Sequence, residues 1–312
     1  MHDLRRAMAI TNASPHLAGK EIVCQNCGGR TVFSGSITAT KCPYCATPIQ
    51  RNDVQNAPAR LPIDGVLPFQ VSEDAGRKVI EDWINNRWFA PNEFQKYREL
   101  GSFSSVYASY FTYDADTETE YSGQRGDSYT VTVGSGDNEH TETRIDWTYR
   151  SGIVQNTFDD VAELANTGFD PKRIRDLEPW PTQRATPYTP EFLAGHLART
   201  YDKDAEAVLP SAKSRMEAEI TQTVRSDIGG DEQRISHLNT AWHSLTYKYV
   251  LLPIWLLTVI YQGHAFQVFI NGITGEVQGD RPYSKIKIAF ATILALIVVI
   301  GAFIIYQKVR GR

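Results

Sequence analysis

The chain has 312 residues, of which 22% are charged and 11% aromatic, with 32 Lys and Arg against 36 Asp and Glu. This size and composition predict a globular protein of about two domains and argue against a disordered chain. The formal net charge of −4 argues against a nucleic-acid-binding protein with a broad basic face.

The N-terminal residues 1–19 are predicted to form a flexible tail. Arg5 and Arg6 lie in this tail, but no apolar run follows them, so the pattern does not match a secretory signal peptide. We therefore expect the folded part of the chain to remain in the cytosol, where thiols stay reduced.

Two C-x-x-C pairs, CQNC and CPYC, contain all of the cysteines, which are Cys24, Cys27, Cys42 and Cys45. Each pair can direct two thiolates toward one centre, and four thiolates make a closed tetrahedral site that suits one structural Zn²⁺. Gly28 and Gly29 follow the first pair, where a turn with positive φ is favoured. The spacing predicts a small β zinc ribbon over residues 20–51, with hairpin strands at 31–33 and 37–39.

Two other interpretations of the cysteines stay open. CPYC also occurs in glutaredoxin-like redox sites, but those require a βαβ pattern that does not follow the motif here. A disulfide is the second alternative, and a reducing cytosol disfavours it. A ribbon of this kind can bind nucleic acid or protein, and the excess of Lys and Arg over acids in residues 20–51 is too slight to decide.

An α+β body is predicted at residues 68–284, after a proline-containing linker at 52–67. Ser72 is suited to cap a helix that continues to about residue 86. Residues 121–125 resemble a turn because of Gly123. Alternating and aromatic segments predict strands on either side of this turn, at 103–113, 128–133 and 141–149.

The second half of the body begins with short helices predicted at 159–165 and 171–177, the latter capped by Asp170. A helix from Pro190 to about residue 201 comes next. A longer helix is then predicted at 203–228, kinked or broken near its start by Pro210. Further strands are predicted to close the body, at 231–247, 249–261, 265–271 and 276–279.

The body also shows signs of an internal duplication. Ser109-Tyr110-Phe111 and Pro253-Ile254-Trp255 occupy matching positions, and each segment follows a predicted helix and leads to a Tyr and a Gly turn. This pattern predicts two related helix-then-antiparallel-sheet halves, at 68–150 and 187–280. The alternative is two unrelated strands that share aromatic content.

The C-terminal residues 288–307, IAFATILALIVVIGAFIIYQ, contain no charge. A helix of about 20 residues spans about 30 Å, which matches the hydrocarbon core of a bilayer. We therefore expect a transmembrane helix at 285–307 and a basic tail at 308–312. Basic residues are balanced on the two sides of this segment, so the positive-inside rule does not decide its orientation. The reduced cysteines favour a single-pass protein of the plasma (inner) membrane with a cytosolic N-terminal body.

Four segments resemble a bacterial family of membrane proteins with a TFIIB-type zinc ribbon; they are YFTYDADTETEYSGQRGDSY at 110–129, LEPW at 177–180, IGGDEQRI at 228–235, and VLLPIWLLTVIYQGHAFQVFINGITGEVQGDRPYS at 250–284. The resemblance implies an N-terminal ribbon, an α+β body and a C-terminal membrane helix. It also implies that the four cysteines are metal ligands. Ser109 and His264 depart from the family pattern, which tends to have proline and lysine at those positions.

This family is often labelled primosomal helicase-like, but the chain lacks the G-x-x-x-x-G-K-[ST] loop that a helicase motor requires. The resemblance instead implies an accessory protein that works beside flotillin-like SPFH proteins and phage-shock-type membrane-stress proteins. It supplies no catalytic residue.

Other residues with chemical potential are few. His237 and His243 are six positions apart on a predicted strand and therefore on one face, where they can titrate together or simply be surface residues. Asp114, Asp116, Glu118 and Glu120 form an acidic run that can bind calcium or a basic partner. The alternative is that they are charged side chains on the exposed edge strand of a hairpin. No G-x-S-x-G elbow is present, and no small-molecule substrate is evident.

Together these features predict a non-enzymatic, zinc-binding, membrane-anchored adaptor or scaffold that binds protein partners at the cytosolic membrane face. The alternative is a membrane-tethered nucleic-acid-binding protein that acts through its zinc ribbon. A third hypothesis is an enzyme whose active site lies in the α+β body.

Overall fold

The computed structural model describes residues 2–3, 20–24, 30–33, 42, 54–56, 61–85, 102–136, 139–261, 264–279 and 285–310. The strands of this part of the chain are β1 (His2–Asp3), β2 (Lys20–Val23), β3 (Arg30–Phe33), β4 (Val54–Asn56), β5 (Gly65–Val66), β6 (Ser102–Val133), β7 (His140–Leu164), β8 (Thr186–Pro187), β9 (Leu197–Ala198), β10 (Glu232–Tyr261), β11 (His264–Asn271) and β12 (Val277–Gly279). The α-helices are α1 (Glu73–Asn85), α2 (Pro171–Arg175), α3 (Ala205–Ile228) and α4 (Lys285–Arg310).

Nine of the described strands form one mixed sheet around β6 and β10. These two central strands are antiparallel, and their pairing extends from Ser102 opposite Thr258 to Gly126 opposite Glu232. β7 pairs with the other side of β6, and β11 and β12 continue the sheet beyond β10. The short strands β5 and β9 are parallel to β10 and β6, respectively, which makes the sheet mixed.

This architecture corrects the predicted fold class of a β zinc ribbon, an α+β body with two antiparallel sheets and a transmembrane helix. The two halves do not build separate sheets, because β6 of the first half and β10 of the second are hydrogen-bonded neighbours along most of their length. The order helix, long strand, strand does occur twice, as α1–β6–β7 and α3–β10–β11. The duplication itself stays a prediction.

One end of the sheet, which we call the body, is covered on both faces. The body comprises residues 102–113 of β6, residues 246–261 of β10 and the strands beside them. On one face, Ile80 and Ile84 of α1 belong to a cluster of buried side chains with Trp255 and Val268. On the other face, a segment that includes α2 covers the sheet with Phe169, Ile174, Leu177 and Trp180. Because both faces are covered, residues 106–113 are all buried.

The other end, which we call the arm, is a three-stranded extension of β7, β6 and β10. It comprises residues 114–133, 140–160 and 232–245. At roughly 3.3 Å per residue, the twenty positions of β6 in the arm reach about 65 Å. α3 lies on one face of the arm and buries a single stripe of side chains spaced by three or four residues: Ala205, Val208, Ala212, Met216, Ile220, Val224 and Ile228.

Glycine permits the central strand to continue where the sequence predicted a turn at 121–125. β6 is continuous through Gly123, and a Cβ atom added there would lie 2.3 Å from the backbone oxygen of Arg234. Gly123 is therefore required because two backbones lie close together, and it does not form a turn. Gly126 gives similar room to the side chains of Ile145 and Trp147.

Both neighbours of β6 contain a bulge at the boundary between body and arm. The β6–β7 register shifts between Tyr113 and Ala115, and the β6–β10 register shifts between His243 and Thr246. Asp160 and Ser244 lie in these bulges with φ of 54° and 50°. Each bulge inserts one extra residue into the flanking strand, which bends that strand and increases its local twist.

Helix predictions based on caps agree with the structure. Ser72 Oγ accepts a hydrogen bond from the N–H of Ala75 at 3.3 Å at the start of α1. Asp170 Oδ1 accepts from the N–H groups of Lys172 and Arg173 at the start of α2, at 3.0 and 3.2 Å. The acceptor side chains satisfy N–H groups that have no partner inside their helix.

Three other helix predictions need correction. Residues 159–165 are not helical, because residues 159–164 form the bulged end of β7 and residue 165 follows that strand. The helix predicted from Pro190 is only a short 3₁₀ turn, Pro190–Leu193, and β9 follows it. α3 is continuous through Pro210, and Asp204 caps its start by accepting from the N–H of Ala207 at 2.8 Å.

A separate three-stranded sheet near the N-terminus has the order β3-β2-β4. The strand predicted at 31–33 is present, but it pairs with β2, and residues 37–39 lie outside the described part of the chain. The linker predicted at 52–67 is wrong for two segments. β4 pairs with β2, and β5 pairs with β10 in the large sheet.

The C-terminal segment forms the helix α4, but its predicted transmembrane role is corrected. The helix spans Lys285–Arg310. Among the helices that the structure describes, none has both the length and the apolarity to cross a bilayer. This finding overturns the transmembrane helix at 285–307 and the single-pass plasma-membrane localisation.

Candidate functional site

The cysteines predicted to bind zinc are only partly described. Cys24 directly follows β2, and Cys24 and Cys42 are both buried in one cluster of side chains. Cys27 and Cys45 lie outside the described residues. A structural zinc site needs four ligands, and the described residues include two of the four cysteines.

A cysteine metal site is therefore not shown. Among the described residues, the group of three or more His, Cys, Asp and Glu side chains close enough to share an ion consists of Asp114, Asp159 and Asp160. It contains no cysteine. The zinc-ribbon and membrane classes assigned from the sequence are accordingly without support, and the ligand role of the four cysteines stays a prediction.

The aspartate cluster lies at the two bulges and already has a cation. Lys248 Nζ lies 2.7 Å from Asp160 Oδ1 and 3.5 Å from Asp114 Oδ2. Asp114 Oδ1 also accepts a hydrogen bond from the N–H of Asp160 at 2.7 Å. These carboxylates raise the pKa of Lys248 despite the opposing effect of its burial. Lys248 thus offsets part of the negative charge of the cluster and links β10 to Asp114 and Asp160 at the boundary between arm and body.

The three strands of the arm present a broad accessible surface on the side opposite α3, which we call the open face. It consists of alternate residues of three strands: the odd-numbered residues 147–157 of β7, the even-numbered residues 116–124 of β6 and the odd-numbered residues 237–243 of β10. None of these residues is buried. Side chains on a strand alternate between faces, so the same strands present their other residues to α3.

Apolar side chains on β7 form one part of the open face. Tyr149 is 68% exposed and Ile153 is 59% exposed, although both lie in the middle of a long strand. Trp147 is on the same side, where the guanidinium of Arg234 lies 3.8 Å from its ring centroid. Large apolar side chains exposed next to one another on an ordered sheet are typical of a binding surface.

Acidic side chains on β6 form the adjacent part. Asp116 accepts a hydrogen bond from Thr157 Oγ1 at 2.9 Å, and Glu118 accepts one from Gln155 Nε2 at 3.1 Å. Glu120 lies directly opposite Ile153. The predicted charged hairpin edge is therefore corrected, because β6 has a paired strand on each side and its acids lie on a sheet face.

The histidine pair lies on the remaining strand of the open face. His237 and His243 are exposed on β10, opposite Ser122 and Asp116. Their predicted placement on one face of a strand is confirmed by the register. The open face thus changes across its width from apolar on β7, through acidic on β6, to imidazole-bearing on β10.

The opposite face of the arm is fixed by contacts with α3. The hydroxyl of Tyr121 donates a hydrogen bond to Asp227, and Asn156 Nδ2 donates to Thr223 Oγ1 at 2.8 Å. Burial and the Asp227 carboxylate raise the pKa of Tyr121 to about 12. Lys213 Nζ lies 4.6 Å from the ring centroid of Trp242. These contacts hold the three strands in a rigid arrangement from behind the open face.

The exposure of Tyr149 and Ile153 was not predicted from the sequence. Their segment alternates large and polar side chains, which predicts a strand with one buried face. In the structure Tyr149 and Ile153 at odd positions face solvent, while Val154 and Phe158 at even positions are buried in the cluster that includes α3. Apolar residues therefore occur at both odd and even positions of this segment, so its sequence does not indicate which face is covered.

Comparisons with known proteins give a limited result. No protein-family model matches the chain, and no solved structure matches it. The chain is similar to a curated protein of Bacillus subtilis (strain 168), "Uncharacterized protein YdjG", with 26% identity over 229 residues. The aligned region covers 72% of this chain and 65% of the relative, so the similarity spans a little under two thirds of that protein. The relative's name assigns it no activity.

Proposed function

We propose that the protein is a non-enzymatic adaptor whose open face binds a cationic, apolar-containing segment of a partner protein. The observation that carries the proposal is the juxtaposition of Glu118 and Glu120 with the exposed side chains of Tyr149 and Ile153. Glu120 and Ile153 are cross-strand neighbours. A partner segment with basic and apolar residues on one side would complement both parts at once.

The arm is already folded in the free protein, which suits binding without induced folding. α3 and the paired strands already hold the backbone, so the ordering cost of binding is small on this side of the interface. Tyr149 supplies a large amphipathic ring, and such residues dominate interface energetics when a partner excludes water from them. The carboxylates on β6 contribute orientation and association rate more than affinity.

The acidic row of β6 also distinguishes this proposal from nucleic-acid binding. A phosphate backbone would be repelled by Asp116, Glu118 and Glu120, and nucleic-acid interfaces depend on cationic side chains. The resemblance found in the sequence suggests SPFH and phage-shock-type proteins as the first partners to test.

Affinity purification with matched variants tests the proposal. We expect proteins recovered with the natural chain to be lost with Y149S/I153S and reduced with E118Q/E120Q. Y129S is the control, because Tyr129 is 48% exposed on the opposite face of the same hairpin. For a purified partner, loss of the two apolar anchors should weaken binding by about 2 kcal/mol or more, and higher salt should slow association.

Two outcomes would contradict the proposal. One is recovery of the same partners with Y149S/I153S as with Y129S. The other is a partner whose binding segment is acidic, because its charge would oppose the carboxylates of β6.

A further inference from the structure

The far end of the arm, which we call the tip, is a two-stranded hairpin that projects beyond the rest of the sheet. It comprises residues 127–133 of β6 and 140–146 of β7, which pair with each other. β10 begins opposite Gly126, and α3 ends beside Gly123, so neither element reaches the tip. None of these fourteen residues is buried.

The composition of the tip favours strands, but its size does not stabilise them. A hairpin of two strands is only marginally stable in water, and a third strand makes the difference. Half of the residues are β-branched and suited to a sheet; they are Thr130, Val131, Thr132, Val133, Thr141, Thr143 and Ile145. Addition of a strand to either edge would therefore stabilise the tip.

The β6 edge of the tip is already used by the chain itself. The N–H of Asp231 donates to the backbone oxygen of Gly126 at 2.9 Å, and Asp231 Oδ2 accepts from the N–H of Ser128 at 2.7 Å. The backbone groups of the even-numbered β6 residues thus point away from β7. Those of the odd-numbered β6 residues point toward β7, because successive residues of a strand alternate.

The β7 edge is open, since β7 pairs with β6 alone among the described strands. The register places odd-numbered residues of β6 opposite even-numbered residues of β7. The even-numbered residues of β7 therefore form the hydrogen bonds to β6. The N–H and C=O groups of the odd-numbered residues from 141 to 149 point out of the sheet, and such a row can accept another strand.

The charges on this edge complement those of a second copy of the chain. When Ile145 lies opposite Ile145 of the copy in an antiparallel pair, Arg144 of each chain lies opposite Asp146 of the other. These are non-hydrogen-bonded pairs, in which side chains on neighbouring strands are closest. Asp146 also lies directly opposite Asp127 of its own chain, so a cation from the copy would offset a repulsion.

Other two-fold registers are less favourable. Pairing centred on Arg144 or on Asp146 would place each of these charges opposite itself. Pairing centred on Thr143 would join Glu142 to Arg144, which already contact each other within one chain at 3.3 Å. Pairing centred on Thr148 would bring the copy beside residues 152–156, where α3 covers one face of β7.

We propose that the β7 edge of the tip binds the same edge of a second copy of this chain, antiparallel and centred on Ile145. Residues 140–150 of the two copies then form about ten backbone hydrogen bonds, as in a typical protein interface. The contact is two-fold symmetric and closed, so growth stops at the dimer. Odd-numbered residues pair with odd-numbered residues, which places both open faces on the same side of the joined sheet.

Sedimentation of the full chain over a range of concentrations tests the proposal. We expect a monomer–dimer equilibrium in the micromolar range, because strand pairing buries less area than a standard interface. R144D and D146R each place like charges opposite one another twice, and we expect each variant to dimerise at least tenfold more weakly. K78D makes the same charge change as R144D at an exposed position of α1 and should dimerise like the natural chain.

An equimolar mixture of R144D and D146R identifies the register. In a dimer of one chain of each kind, positions 144 and 146 again carry opposite charges in both pairs, so the mixture should dimerise as tightly as the natural chain. The proposal is overturned if the natural chain stays monomeric, which would mean that the edge charges prevent pairing. It is also overturned if R144D dimerises like K78D, or if the mixture dimerises no better than the separate variants.

Discussion

The body and the arm share the strand β6 but surround it differently. In the body, residues 106–113 are buried at every position because α1 and the start of α3 lie on one side and the segment around α2 on the other. In the arm, buried and accessible residues alternate because only α3 covers the strand. The comparison shows that the second layer, rather than the strand itself, decides whether a face is core or binding surface.

The largest expected effect is the difference in free energy of unfolding between a variant of the body and a variant of the open face. L252A removes a fully buried body side chain and should lower the free energy of unfolding by about 2–5 kcal/mol. I153A removes a side chain of equal size from the open face and should change it by no more than about 0.5 kcal/mol. Urea unfolding of both variants measures the difference. Equal losses would mean that the open face is covered in the free protein.

An intermediate effect is expected at the boundary between the regions. K248M leaves the side chains of Asp160 and Asp114, which are 7% and 13% exposed, without their cation. Because Lys248 itself is 26% exposed, we expect a loss of about 1–3 kcal/mol, below that of a fully buried pair. K78M, at an exposed position of α1, is the control for loss of one positive charge. A K248M protein as stable as K78M would show that the aspartates do not depend on the lysine.

The smallest effect concerns pH and the attachment of the arm to α3. The pKa of Tyr121 is raised to about 12 in the folded protein, against about 10 for an unfolded tyrosine. Its proton therefore favours the folded state below about pH 10, and this contribution disappears as the pH rises toward 12. Y121F should cost about 1 kcal/mol at pH 8 through loss of the hydrogen bond to Asp227.

Urea unfolding at several pH values checks this sign. The stability difference between the natural chain and Y121F should shrink between about pH 10 and 12. Y129F, which alters an exposed tyrosine on the same arm, should show no such trend. A difference that stays constant over this range would contradict the raised pKa of Tyr121.

Local signals in the sequence were sufficient for many elements. Ser72 and Asp170 predicted helix starts because a capping side chain acts on N–H groups two or three residues away. The aromatic, β-branched character of 103–113 and 249–261 predicted strands for a similarly local reason. The conformation of each segment could be derived from its own residues.

Relations between distant segments could not be derived in the same way. The pairing of β6 with β10 joins residues more than a hundred positions apart, and no local preference encodes that choice. Gly123 appeared to be a turn because its need for space comes from Arg234 of another strand. The open face was missed for a related reason, since α3 takes one side of the arm and no sequence pattern states which side.

The paired bulges at Asp160 and Ser244 also affect how the arm can change during evolution. They shift the register of both flanking strands by one residue at one level, so the pairing of the arm keeps a fixed offset from the pairing in the body. Insertions of two residues in each strand of the β6–β7 hairpin would keep every side chain on its face and move the tip by about 7 Å. Single-residue insertions would exchange the two faces. The length of the arm can therefore change in steps of two residues, or about 7 Å, while the bulges at its base stay in place.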